Sequence, residues 1–147
     1  MDPRKRSLAA TMVLVVAVVA LLARRALVAA TPIGIALQVL AALLMLWARL
    51  TFGMRSFHAT ADPTAGGLVA TGPYRYWRHP IYAAVLLFVW AGVLSHGVPS
   101  LADLALAVLS TGMTLIRVQA EEQLLRVAMP EYADYAARTK RFIPFVL

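Results

Sequence analysis

The sequence predicts an all-α integral membrane protein, a small bundle of about four transmembrane helices with a helical C-terminal tail. Hydrophobic residues make up 61% of its 147 positions and the mean hydropathy is +0.74, whereas soluble domains are closer to half apolar. The excess lies in four long runs, at residues 8–23, 33–48, 81–94 and 101–116, and cations flank these runs. The length leaves room for a single domain over residues 1–147.

The first two runs predict an N-terminal transmembrane hairpin within residues 1–50. Residues 8–23 form an uncharged helix of about 24 Å, slightly short for a bilayer core, and snorkelling arginines at its end would make up the difference. The basic start and the small residues 28–30 also fit a cleavable signal peptide, but two arginines directly before that site argue against one. Because few residues connect the first run to the second, the two helices are expected to form an antiparallel hairpin.

A polar segment with an unusual end precedes the third run. Residues 61–67 are a turn-rich loop, and no strand or Gly-Lys-Ser sequence accompanies its glycine pair, which argues against a phosphate loop. The segment ends in Gly-Pro-Tyr-Arg-Tyr-Trp-Arg-His-Pro-Ile-Tyr, residues 72–82. Pro80 suits the first turn of a helix, so Arg78 and His79 precede a helix N-terminus, which favours anions. A plain interfacial anchor is the alternative, although an anchor requires neither the His-Pro dipeptide nor the Gly-Pro turn.

The fourth helix is expected to continue beyond the membrane through residues 117–126. The spacing places Arg117 with Glu121, and Glu122 with Arg126, on shared faces. In a soluble helix these would be surface ion pairs worth roughly a few tenths of a kcal/mol. This chain has only seven acidic residues, however, and acidic groups near membrane level are functional candidates. We therefore expect the carboxylate pair to meet the stretch that begins the third helix.

The flanking charges predict the orientation. With four spans both termini lie on one side of the membrane, and this side carries twelve lysines and arginines against two, Arg24 and Arg25, on the other. The positive-inside rule therefore places both termini, the stretch 72–82 and the tail in the cytoplasm. The twelve cations are Arg4, Lys5, Arg6, Arg49, Arg55, Arg75, Arg78, Arg117, Arg126, Arg138, Lys140 and Arg141.

Composition argues against several function classes. The cations flank apolar runs instead of forming a basic face on a soluble module, so membrane lipid is an expected partner and nucleic acid is not. The lack of cysteine removes thiolate nucleophiles and cysteine-ligated metals. No metal site is expected, because His58, His79 and His96 are far apart and His96 falls on the opposite side of the membrane. His58 is interpreted as a solvated loop residue, and the oligomeric state is left open.

Cations, aromatic rings and carboxylates at one membrane face would complement a ligand with a carboxylate, an ammonium, a flat base and a positive sulfur. S-adenosylmethionine is such a ligand. Its sulfonium suits aromatic faces and carboxylates, its ammonium suits glutamate, and its carboxylate suits arginine or a helix N-terminus.

The C-terminal part of the sequence, roughly residues 66–147, carries a set of residues in a characteristic order: Leu68, Val69, Gly72, Pro73, Tyr74, Arg78, His79, Pro80, Tyr82, Glu121, Glu122, Leu125, Tyr132, Tyr135, Arg138, Arg141 and Pro144. With these residues the sequence resembles the isoprenylcysteine carboxyl methyltransferase family, which is itself similar to the integral-membrane phospholipid methyltransferases. One departure is Met129-Pro130, where that family more often has an aromatic-glycine turn, and it affects the expected path of the tail.

The resemblance implies a small helical membrane bundle whose cytoplasmic C-terminal half encloses S-adenosylmethionine. It also implies that Tyr132 and Tyr135 lie on a lid-like tail. Arg78 and Arg117 would lie near the methyl acceptor, either one orienting it, and with Glu121 they are the candidate catalytic residues. The implied cofactor contacts are Tyr74, His79, Pro80, Tyr82, Glu121 and Glu122, the two glutamates holding the methionine end.

The predicted function is methyl transfer from S-adenosylmethionine to a lipophilic acceptor, the carboxylate of an isoprenylcysteine-like molecule or another lipid. A carboxylate acceptor needs no strong base, so catalysis would consist of alignment and desolvation. Two alternatives stay open. A membrane reductase of the sterol-reductase type would bind NADPH, whose phosphates suit a glutamate pair poorly. A small four-helix exporter would need an acidic residue inside a span, and Asp103, near the outer edge, is the nearest candidate.

Overall fold

The structure, a computed structural model, describes residues 2–53 and 67–142. Within these residues the regular structure is helical, as the sequence predicted. A short 3₁₀ turn, Gly72–Arg75, lies ahead of the third helix. The α-helices are α1 (Pro3–Ala23), α2 (Pro32–Phe52), α3 (Pro80–Leu94), α4 (Leu101–Ala128) and α5 (Tyr132–Arg138).

The helix lengths make this chain a multi-pass integral membrane protein. In the part of the chain that the structure describes, α1, α2 and α4 are long and apolar enough to cross a membrane. The apolar helix α3 has 15 residues and is therefore only about 22 Å long. The predicted continuation of the fourth helix is confirmed, because α4 extends without a break to Ala128.

Side-chain caps and prolines set the helix starts. The side chains of Asp2, Thr31 and Ser100 accept a hydrogen bond from the first turn of α1, α2 and α4 respectively. These groups satisfy backbone donors that have no partner within the helix. Pro80 begins α3, where its missing N–H costs no hydrogen bond. His79 therefore directly precedes the helix, as predicted.

The helices pack as two pairs, α1 along α4 and α2 along α3. The prediction that the first two helices pack together as a hairpin is wrong, because α1 packs mainly on α4 and α2 mainly on α3. A short connection only keeps the two ends close, whereas small residues decide which helix backbones approach. The buried small residues recur at coiled-coil spacing: Ser7, Ala10 and Ala17 on α1, Gly34, Ala41 and Ala48 on α2, and Ala107, Ser110 and Thr114 on α4.

The connection between α1 and α2 packs against the end of α3. A β-carbon at Gly92 would overlap the carbonyl oxygen of Leu27, so the two backbones touch there. Gln38 closes this contact from α2: its Nε2 donates to Leu27 O at 2.7 Å and to Phe88 O at 3.1 Å, and its Oε1 accepts from Ala29 N at 3.0 Å. The buried amide is thus well satisfied.

Two contacts fix the antiparallel register of α1 and α4. Arg6 Nη2 donates to Gln123 Oε1 at 3.3 Å, and Arg24 Nε donates to Asp103 Oδ1 at 2.5 Å. At the Arg24 end, His96 Nε2 lies 2.8 Å from Val28 O. The helix bundle therefore has two distinct ends, and we call the one with Gln123 the site end and the one with Arg24 the far end.

Candidate functional site

The chain after α4 folds back and pairs with the stretch before α3. Arg78 N donates to Lys140 O at 2.7 Å, Lys140 N donates to Tyr76 O at 3.2 Å, and His79 N donates to Arg141 O at 3.1 Å. These bonds join the backbone of residues 76–79 to that of residues 140–141. The tail therefore covers the start of α3, although the sequence carried no strand signal in either segment.

Glu122 ties the helices and the tail together from within. Its residue is only 3% exposed. Its carboxylate accepts from Arg78 Nε at 3.1 Å and from Arg141 Nε and Nη2 at 3.2 and 2.8 Å, and it lies 3.3 Å from His79 Nε2. One carboxylate of α4 thus holds the start of α3 and the returning tail. The meeting of His79 and Glu122 is as the sequence predicted.

Arg78 lies in the junction between α3 and the tail. Besides Glu122, its guanidinium donates to Ala136 O at 2.7 Å and to Thr139 O. Both carbonyls lie near the C-terminal end of α5, where backbone acceptors lack helical partners. Arg78 therefore caps α5 and holds it against the membrane helices.

Glu121, one residue earlier, has a different environment. It is half-buried, and its Oε2 accepts from the Tyr82 hydroxyl at 2.9 Å. The same hydroxyl accepts from Arg117 Nε and Nη2 at 3.2 and 3.1 Å, and the Arg117 guanidinium lies 5.6 Å from the centre of the Tyr82 ring. Arg117 is 7% exposed. A cation, a phenol and a carboxylate are thus linked in a row.

Three more predicted residues, Tyr74, Pro80 and Tyr132, are buried at the site end. Pro80 is fully buried at the start of α3. Tyr74 is 5% exposed, its ring centre lies 5.3 Å from that of Phe52, and its carbonyl oxygen accepts from the Tyr135 hydroxyl at 2.7 Å. Burial raises the pKa of Tyr135 to about 12, so its phenol stays a donor at neutral pH. Tyr132, also on α5, is 1% exposed, and Pro144 and His58 lie outside the described residues.

Arg49, one of the cations that flank the apolar runs, lies in the last turn of α2, which packs on Tyr74 through Phe52. Burial raises the pKa of the Tyr74 phenol, the charge of Glu121 raises it further, and the charge of Arg49 opposes this shift. Both charges therefore act on one buried phenol. Because α2 ends and α3 begins on the same side of the membrane, a cation at the end of α2 lies at about the same depth as the start of α3. The number of spans was therefore the signal in the sequence that could have indicated Arg49.

An apolar groove reaches the site from the membrane. It has a volume of about 740 Å³ and lies between α2 and α3. Trp77 and Phe142 line its site end, and the Phe142 ring centre lies 6.3 Å from that of His79. The groove is thus apolar along its length and ends beside the polar cluster. The helical lining residues are Leu40, Leu43, Leu44, Trp47, Ala83, Leu86, Leu87 and Trp90.

The far end gives little support to the alternatives. Asp103, the candidate acid of an exporter, binds Arg24 at 2.5 Å, and its backbone N–H donates to Ser100 Oγ at 3.1 Å. These contacts explain it as part of a helix start. Across residues 2–53 and 67–142, no three metal-binding side chains are grouped as a metal site requires.

Comparison with known proteins gives a family and two relatives. Residues 28–129 match the family model described as phospholipid methyltransferase. The chain is 40% identical over 78 residues to the cobalt-zinc-cadmium resistance protein CzcN of Cupriavidus metallidurans, which covers 52% of this chain and 35% of that protein. The chain is also 40% identical over 78 residues to the nickel-cobalt-cadmium resistance protein NccN of Alcaligenes xylosoxydans xylosoxydans, and this match covers 52% of this chain and 36% of that protein. The match thus spans about a third of these curated relatives. No solved structure matches the chain.

Proposed function

The chain belongs to the phospholipid methyltransferase family, and we propose that it transfers a methyl group from S-adenosylmethionine to a lipophilic acceptor in the membrane. The observation that carries the proposal is the junction between a polar cluster of both charges and an apolar groove, which meet at His79. A methyl transferase for lipids needs both parts side by side, because its donor is a charged nucleoside and its acceptor has an apolar tail.

The residues present fit S-adenosylmethionine by their chemistry. Glu121 offers a half-buried carboxylate for an ammonium or sulfonium, and the half-buried ring of Tyr82 offers a face for a cation or a flat base. When bound, S-adenosylmethionine supplies an electrophilic methyl group. The carboxylate of Glu121 suits a cationic donor better than the phosphates of NADPH, which disfavours the reductase alternative.

In this proposal Glu121 and Glu122 have different roles. Glu121, with Tyr82 and Tyr74, contacts the cofactor, while Arg117 positions the Tyr82 hydroxyl that donates to Glu121. Glu122 accepts from two arginines and is almost fully buried, so we assign it to positioning His79 and the tail. Three more predicted site residues receive the following roles: Arg78 anchors the tail, Pro80 sets the start of α3, and His79 lies between the cluster and the groove.

The groove would hold the tail of the acceptor. Its lining is apolar, so a hydrocarbon chain would enter from the bilayer and leave its polar end beside Trp77 and Phe142. A carboxylate of an isoprenylcysteine-like or other lipid placed there would be shielded from water by the rings, which strengthens its attack. The cytoplasmic location of the site is part of the proposal and rests on the excess of cations at the site end.

Calorimetric titration of the purified protein with S-adenosylhomocysteine tests the proposal. Glu121→Gln should weaken binding by about tenfold or more, because a charged hydrogen-bond acceptor is lost. Glu131→Gln, the same change at an exposed carboxylate of the tail, should leave the affinity unchanged. Failure of the wild-type protein to bind, or equal affinities for the two variants, would overturn the proposal. Radiolabelled methyl transfer into a lipid and peptide extract would then identify the acceptor.

A further inference from the structure

We propose that Arg49 is a cofactor-binding residue whose guanidinium holds the carboxylate at the amino-acid end of S-adenosylmethionine, opposite Glu121, which holds the ammonium. The inference rests on the proposed function and deepens it by assigning a ligand-binding role to α2. None of the sequence motifs of the C-terminal half includes this residue.

Packing of the α2 terminus brings Arg49 to the site. A β-carbon at Gly72 would collide with Thr51 Oγ1, and the ring of Phe52 packs on that of Tyr74, with centres 5.3 Å apart. The last turn of α2 therefore lies against the 3₁₀ turn Gly72–Arg75. Arg49 belongs to this turn, and its side chain is half-buried instead of extending into solvent.

The Arg49 side chain runs back along its own helix, with Nε 3.4 Å from Met45 Sδ. The pKa of the Tyr74 phenol responds to Arg49 and to Glu121 in opposite directions. Tyr74 is only 5% exposed, and these opposed effects on its pKa agree with the packing of the α2 terminus against the 3₁₀ turn.

An α-amino acid group requires such an arrangement. Its ammonium and carboxylate are attached to the same carbon, so a site must present an anion and a cation a short distance apart. A guanidinium suits the second task, because its planar fork can bind both carboxylate oxygens. Arg78 and Arg141 bind the carboxylate of Glu122 and Arg117 contacts the Tyr82 hydroxyl, whereas Arg49 brings a further guanidinium to this end of the bundle from α2.

A plainer interpretation treats Arg49 as an arginine that ends a transmembrane span and meets the headgroups. The two interpretations predict different effects of Arg49 on the affinities of different ligands. A headgroup anchor affects all nucleoside ligands alike through stability, whereas a carboxylate-binding residue affects only ligands that carry the amino-acid group.

The experiment therefore compares two ligands by calorimetry, S-adenosylhomocysteine and 5′-methylthioadenosine, which lacks the amino-acid group. Arg49→Met should weaken S-adenosylhomocysteine by about tenfold or more and change 5′-methylthioadenosine less than about twofold. Arg49→Lys, which keeps the charge but not the fork, should fall between Arg49→Met and the wild type. Arg24→Met is the control, because Arg24 is an arginine at the far end of the bundle, where it contacts Asp103, and it should change neither affinity.

Three results would overturn the inference. Unchanged S-adenosylhomocysteine affinity in Arg49→Met removes the role of Arg49 while the proposed function stands. Equal losses for both ligands make Arg49 a structural residue. Absence of S-adenosylhomocysteine binding by the wild type, in contrast, removes the proposed function and the inference with it.

Discussion

The two ends of the bundle each contain an arginine–carboxylate pair, and the pairs differ in burial. At the far end Arg24 meets Asp103 at 2.5 Å, with side chains that are 43% and 15% exposed. At the site end Glu122 has a side chain that is only 5% exposed, and it binds both Arg78 and Arg141. Among the described residues, an arginine thus meets a carboxylate at the surface of the far end and around a buried glutamate at the site end.

This difference in burial distinguishes a pair that supports only one helix start from a carboxylate that joins several elements. Exposed ion pairs contribute about 0–1 kcal/mol, and the far-end pair joins α1 to a helix start that Ser100 already caps. A buried carboxylate requires partners, and removing it leaves buried cations unpaired. Since the partners of Glu122 come from the start of α3 and from the tail, this one carboxylate determines whether the site end closes.

The largest effect is therefore expected from Glu122→Gln. The change leaves Arg78 and Arg141 without their anion, and the free energy of unfolding should fall by about 3 kcal/mol. Thermal unfolding in detergent, followed by circular dichroism, would measure it, with Glu131→Gln as the control. A midpoint equal to that of the control would show that the buried pair does not hold the site end together.

Part of this site end could be predicted from the sequence. Four apolar runs predict four membrane crossings, so the residues before α3 and those after the apolar part of α4 had to lie on the same side of the membrane. Proline at the start of α3 then put His79 at that helix end, and spacing put Glu121 and Glu122 at the matching depth of α4. These steps depend only on helix geometry, which explains why they were confirmed.

The partners of Glu122 and the pairing of the helices could not be predicted in the same way. Arg141 reaches Glu122 only because the tail turns back after Met129, and no periodicity encodes that turn. The partner of α1 depends on how its buried small residues, such as Ala10 and Ala17, fit the small residues that α4 buries, which is a property of two surfaces and not of one run. The position of Arg49 beside the turn that carries Tyr74 was not predicted, because its sequence context fits an ordinary span end.

A second prediction concerns the backbone contact at the far end. Gly92→Ala should lower stability by roughly 2 kcal/mol, because a β-carbon there would overlap the Leu27 carbonyl and force the connection away from α3. Gly112→Ala is the matched control: no atom lies within 4 Å of a β-carbon there, and alanine favours the helix by about 0.5–1 kcal/mol. The two thermal midpoints should shift in opposite directions. A shift in the same direction would mean that this close contact does not hold the far end.

The smallest effect is expected at the exposed pair, and it sharpens the contrast with Glu122. The Arg24→Met variant should be only slightly less stable than the wild type, and this difference should shrink further in high salt. Its affinity for S-adenosylhomocysteine should match that of the wild type, since Arg24 lies at the end of the bundle opposite Glu121. Thermal unfolding at two salt concentrations and the same calorimetric titration would check both parts. A loss as large as that of Glu122→Gln would mean that burial does not distinguish the two pairs, and a loss of affinity would couple the far end to the cofactor through α4, the one helix that carries both Asp103 and Glu121.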